Sequence, residues 1–165
     1  MLFELLKGFK NYIKMSKYKL IQLTNTAIGE VPVNTYLPLG LVTRRLNATC
    51  NDVNTFQVGT TAADAVFINE PGYYKITYTA SLVAGATGIM SVSLLSNQQT
   101  INTISETITA ADDAVDLTLV YTIRICPNCC GAPLNCPATI QFELGGVATS
   151  STALSNSNLI IEKLA

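Results

Sequence analysis

The sixteen residues from Phe67 to Leu82, FINEPGYYKITYTASL, constrain this chain more than any other stretch. Pro71-Gly72 is a turn dipeptide, because proline presets φ and glycine tolerates the bend after it. Beyond the turn, Tyr73, Lys75, Thr77 and Thr79 alternate with Tyr74, Ile76, Tyr78, Ala80 and Leu82. A period of two with one apolar set is a strand with one buried side. The segment therefore reads as a buried strand, a tight turn and a long two-faced strand.

The rest of the chain repeats this pattern in shorter pieces. Strands are expected at Tyr18 to Thr24, Gly40 to Leu46, Thr55 to Val58, Ala65 to Asn69 and Ile89 to Leu95. Others are expected at Thr100 to Thr109, Val115 to Ile125, Ala138 to Leu144 and Asn158 to Leu164. Ile28 to Leu37 is extended, and Pro32 and Pro38 hold it to an edge or a linker. Gly145-Gly146 and a Ser/Thr-rich link separate the last two strands. About ten short strands with turn signals every 8–12 residues or so imply an all-β sandwich or barrel. No helical crossover interrupts them, which argues against a parallel α/β sheet.

Two segments are predicted: an amphipathic helix over 1–17, and an antiparallel two-sheet jelly-roll sandwich over 18–165. Leu2, Leu5, Leu6, Phe9, Tyr12 and Ile13 recur at helical spacing with lysines between them. Such a helix packs, self-associates, lies on an anionic membrane surface or docks into a partner. In the last case Leu2, Leu5, Leu6 and Phe9 bury while Lys7, Lys10 and Lys14 meet acidic groups. Met15-Ser16-Lys17 also resembles a start, which would make the first 14 residues dispensable. No uninterrupted apolar run reaches the roughly 18 residues of a membrane span. Glu4, Lys7 and Lys10 break what would otherwise resemble a signal peptide.

The net charge of −1 conceals an asymmetry. Five of the ten basic residues, Lys7, Lys10, Lys14, Lys17 and Lys19, fall in the first 19 positions. From residue 20 onward five basic residues face ten acidic ones, a net of −5. Nucleic-acid binding needs clustered Lys and Arg, so the main domain is not expected to bind it. The chain has no histidine, which removes the usual neutral-pH general base and both Ser-His-Asp and Cys-His arrangements. With no phosphate-cradling glycine motif and no evident carboxylate pair, a non-enzymatic protein is expected.

Cysteines remain the chemically suggestive feature. Cys126, Cys129, Cys130 and Cys136 form C-x2-C-C-x5-C, and Cys50 lies far upstream. Four thiolates bind zinc. Cys126 and Cys136 paired as a disulfide would close an 11-residue hairpin tip, and reduced, partly buried thiols are the third reading. Asp112, Asp113 and Asp116 supply oxygen ligands without a calcium-loop pattern, so they read as a solvated turn.

The segment order, with Phe67 to Leu82, the Ile89 to Leu95 strand and the closing Leu159 to Leu164, resembles the tumour necrosis factor-like and complement-type globular heads. A closer resemblance is to small jelly-roll proteins of phages and prophages of gut bacteria. It is carried by Pro38-Leu39-Gly40, Val42, Arg44-Arg45, Cys50, Gly72-Tyr73-Tyr74, the Cys126 to Cys136 hairpin and Ile161-Glu162-Lys163-Leu164. That resemblance implies a virion surface component: a head fibre or capsid decoration, homotrimeric, joined to other virion structural proteins. It also leaves room for an adhesive module that recognises a host glycan or surface protein. Its candidate loops are Ala84 to Gly88, Ala110 to Ala114 and the cysteine tip. In such a trimer Tyr73, Tyr78, Tyr121 and Phe142 are candidates for the inter-chain face, or else ordinary core aromatics.

Overall fold

The computed structural model describes residues 19–46, 55–59, 63–126, 136–146 and 152–164. The expected helix over 1–17 lies outside them, with its anchoring candidates Leu2, Leu5, Leu6, Lys7, Phe9 and Lys10. Cys50, Cys129 and Cys130 lie outside them too.

The described residues form strands alone. In chain order these are β1 (Lys19–Asn25), β2 (Gly29–Val31), β3 (Thr35–Tyr36), β4 (Leu41–Leu46), β5 (Phe56–Val58) and β6 (Val66–Ile68). The remaining six are β7 (Gly72–Val83), β8 (Gly88–Ser96), β9 (Gln99–Ile108), β10 (Ala114–Ile125), β11 (Ala138–Gly145) and β12 (Thr152–Lys163). They make two antiparallel sheets. One runs β10-β7-β12-β1-β4 with β2 also on β12; the other runs β5-β6-β11-β8-β9 with β3 also on β11. In each sheet one lane is shared. β1 pairs with Ser157 to Lys163 of β12 and β2 with Thr152 to Leu154. Likewise β6 pairs with Ala138 to Ile140 of β11 and β3 with Glu143 and Leu144.

The expected alternation of β7 is present. Tyr74, Ile76, Tyr78, Ala80 and Leu82 are buried, while their odd-numbered neighbours are half-buried or exposed. They pack with Ile21, Leu23, Leu159 and Ile161 against Val66, Ile68, Met90, Val92, Leu94, Ile140, Phe142 and Leu144 of the facing sheet. Removing this apolar surface from water, at roughly 25 cal/mol per Å², holds the two sheets together. At the centre the Tyr78 and Phe142 rings stack 3.9 Å apart at 16°.

One expected link is strand. Thr152, Leu154 and Ser157 are buried parts of β12, and the pairing shifts by a bulge between Leu154 and Asn156. Hydroxyl side chains suit this position because they can bond to backbone: Ser157 Oγ donates to the Pro38 carbonyl at 3.3 Å. The Ser96 to Gln99 connection is a two-residue hairpin with Asn97 and Gln98 both at positive φ, the conformation that matches strand twist.

Candidate functional site

Strand register defines two poles. Lys19 pairs with Lys163, Lys163 with Tyr74, and Gly72 with Ile125, so the first and last described strands end together with the cysteine tip. Val83 pairs with Ala114 at the other pole. The three loops expected to act together are therefore split: Ala84 to Gly88 and Ala110 to Ala114 share the far pole, while the cysteine tip is at the pole of the chain ends. Asp113 accepts from the Ala110 N–H at 3.0 Å, and Asp116 accepts from Ser81. The acidic turn thus serves its own backbone and the neighbouring strand.

At the pole of the chain ends, Glu70 leaves the turn before β7 and binds both the start of β1 and the end of β12. Lys19 Nζ donates to Glu70 Oε2 at 2.6 Å, and Lys163 Nζ donates to Oε1. Thr55 Oγ1 donates to the same Oε2 at 2.8 Å and stands 3.0 Å from Lys19 Nζ. Tyr74 Oη donates to the Glu70 carbonyl at 2.6 Å, and its ring meets Phe56 edge-on. Burial opposes ionisation of Glu70. Hydrogen bonds from Lys163, Lys19 and Thr55, with the Lys163 charge, outweigh it and lower the carboxyl to about 2. Burial and the Glu70 charge together push the Tyr74 hydroxyl well up. A clamp of this kind holds chain ends in place; it offers no poised acid or base.

The four aromatics proposed from sequence do not form a common surface. Tyr78 and Phe142 are fully buried between this chain's own sheets, so neither can add contact area between chains. Tyr73 is 46% exposed on the outer face, with the Arg124 guanidinium 5.7 Å from its ring centre. Tyr121 is half-buried on the inner side of β10, packed against the core.

The outer face of the first sheet carries a distinct polar pattern. Pairing sets out two rows across it: Val120, Thr77, Ile160 and Gln22, then Thr118, Thr79, Asn158 and Thr24. Neither row contains a charge. Gln22 Nε2 donates to Asn158 Oδ1 at 2.9 Å, and Thr24 Oγ1 to the same oxygen at 3.3 Å. The sheet's two edges differ. At β4 the ladder is interrupted by a bulge opposite Gln22 and Leu23, and Arg44 and Arg45 are exposed. Bulges and charges of this kind keep other strands away. β10 runs its full length against β7 in unbroken register, with no charge from Leu117 to Ile123 and Val120 54% exposed. A long, regular edge, uncharged over its middle and next to two charge-free rows, invites another chain.

The cysteines separate as well. Cys126 is disulfide-bonded and Cys136 carries a free thiol. A Cys126–Cys136 bridge closing the hairpin, one of the three readings of the spacing, is therefore not the one formed. A sulfur in a disulfide is not a thiolate ligand, so the expected zinc set of Cys126, Cys129, Cys130 and Cys136 is incomplete in this oxidation state.

Sequence reading missed Glu70, Lys19, Thr55 and Lys163, although a signal was present. Lys19 is in phase with the buried Ile21 and Leu23, and Lys163 with the buried Leu159 and Ile161. A lysine in the buried phase of a strand needs a partner.

No sequence-family model matches the chain, and no curated protein matches it by sequence. Solved structures do. Murine APRIL at pH 5.0 superposes with a TM-score of 0.64 at 12% identity, covering 90% of this chain and 100% of that one. The globular domain of zebrafish complement 1qA gives 0.60 at 8% identity, covering 88% and 96%. PRD1 vertex protein P5 gives 0.52 at 13%, covering 89% and 97%. At such identities the likeness is one of fold, and the fold of this chain is a jelly roll of the tumour necrosis factor and complement 1q kind.

Proposed function

We propose that this chain is a structural, non-enzymatic module that assembles as a homotrimer on a virion, as a head fibre or capsid decoration. The observation that carries the assembly is the contrast between edges: β4 is blunted by a bulge and two arginines, whereas β10 is long, regular and uncharged over its middle. A closed ring needs one patch to meet a different patch on the next copy. The β10 edge and the two charge-free rows of the outer face would be such a pair. The virion setting is supported by the sequence resemblance and by a vertex protein sharing the fold. Residues 1–17 would attach the trimer to a capsid or fibre base.

Light scattering on the full chain tests this. The unaltered protein should have the mass of three chains, and Val120→Arg should yield monomers with an unchanged circular dichroism spectrum. A monomeric unaltered protein at micromolar concentration sinks the trimer. Deleting residues 1–14 should abolish incorporation into particles while leaving the trimer intact; normal incorporation would refute the anchor.

A second reading, an adhesive module, draws on the far pole. Ile28 is 80% and Leu41 79% exposed there, on the side away from the chain ends. A host glycan or surface protein is the class of partner, and binding of the purified protein to host cells, lost in Ile28→Asp, would favour it.

A further inference from the structure

Charge is sorted along the strands. Among the described residues the bases are Lys19, Arg44, Arg45, Lys75, Arg124 and Lys163. Register puts each of them level with Thr77 of β7 or nearer the chain ends. The described acids in that half of the first sheet are Glu162 and, in the turn before β7, Glu70. The far pole carries Glu30, Glu106, Asp112, Asp113 and Asp116, with no described base among them. Glu70 takes Lys19 and Lys163. Arg44, Arg45, Lys75 and Arg124 have no ion pair with an acid among the described residues.

Two of these four stand beside an exposed ring. Arg124 lies opposite Tyr73 across β10 and β7, and Lys75 follows two residues along β7 on the same outer face. Tyr73 holds the Arg124 charge against its ring, 5.7 Å from the centre. A ring face attracts a guanidinium without using its N–H donors, which stay available to a carboxylate. We infer that Tyr73, Arg124 and Lys75 form a docking surface for an acidic segment of another protein, whose Asp or Glu carboxylates meet Arg124 and Lys75. This rests on the reading that the trimer attaches at the pole of its chain ends.

Charge decides the kind of partner. Unpaired bases gathered at one pole repel each other until an acidic surface covers them. Tyrosine and arginine are enriched among the residues that anchor protein interfaces. This chain's own acidic pole does not suit the role, because Asp113 and Asp116 already accept hydrogen bonds from Ala110 and Ser81. A nucleic acid does not suit it either: phosphate binding needs clustered bases, and here Glu162 stands directly opposite Lys75.

The test uses the full chain and immobilised poly-L-glutamate, read by biolayer interferometry at low and at physiological ionic strength. The unaltered protein should bind, and more weakly at the higher ionic strength. Arg124→Glu and Lys75→Glu should each weaken binding about tenfold. Arg45→Glu, an equal change of charge at the β4 edge, should leave it within about twofold. Tyr73→Phe, which keeps the ring, should bind as the unaltered protein does, whereas Tyr73→Ala should lose about threefold. Circular dichroism and light scattering on each variant show that fold and mass are unchanged. A trimer that does not bind poly-glutamate overturns the docking surface and leaves the assembly reading standing. A monomer that binds through Arg124 and Tyr73 sinks the trimer and supports the surface. The proposal is also overturned by equal losses at Arg124 and Arg45, or by no loss at Arg124. Tighter binding of single-stranded DNA or polysialic acid through the same residues overturns it too, as does a mass that grows beyond three chains through them.

Discussion

Glu70 is where single residues matter most. Its carboxyl sits near 2 in the folded chain against an ordinary 4.5, so the folded state favours the ionised form. The stability it contributes is complete above about 4.5 and is lost as pH falls toward 2. Chemical denaturation across that window should show a slope in the unaltered protein that Glu70→Gln removes. At neutral pH the same substitution removes the carboxylate that Lys19 and Lys163 share. The cost should be on the order of 2 kcal/mol, below a fully buried pair because part of Glu70 stays in water. Tyr78 behaves differently. Burial pushes its hydroxyl up to about 12, with Ser157 working the other way, yet Ser157 donates to Pro38 and no described group bonds to Tyr78 Oη. Tyr78→Phe should therefore be neutral or stabilising by about 1 kcal/mol. Phe142→Ala, which empties the other half of the stack, should cost about 3–5 kcal/mol in denaturant melts.

At the level of strands, the sequence shows where alternation holds but not what covers the buried side. The parity of β7 is readable from Tyr74, Ile76, Tyr78, Ala80 and Leu82 alone. Whether Tyr78 meets its own second sheet or a neighbouring chain is not, because both remove it from water equally. Phe142 carried the same ambiguity and resolved the same way. The first half of β12 was hidden by composition: Thr152 and Ser157 read as linker until their backbone pairs with β2 and β7 are seen, with Ser155 at the bulge between them. Gly40 has a requirement that composition does not reveal. It sits at φ 78°, and a Cβ there would lie 2.2 Å from the Thr24 carbonyl oxygen. Gly40→Ala should lower the melting midpoint by several degrees, more than an ordinary loop glycine, since it meets rigid backbone as well as an unfavourable φ. The contrast between β4 and β10 was only half legible. Arg44-Arg45 could be read, but the bulge beside them depends on pairing with β1.

For the whole molecule, the poles divide the labour. The chain ends, the clamp and the cysteine tip share one pole; Ile28, Leu41 and the two turns flanking the β7 and β10 ends occupy the other. An attachment made through the first residues would leave the far pole pointing outward. The first sheet also has an order of manufacture built into it. Its middle lane is β12, which joins β7 to β1 and β2, and it comes after all the other described strands in chain order. β1 is made first and must wait for partners more than a hundred residues away, such as Asn158 for Thr24. Contacts this distant close slowly. The first sheet thus cannot close until β12 has been made, and a chain stalled or truncated before Thr152 should be a protease substrate rather than a smaller version of the same protein.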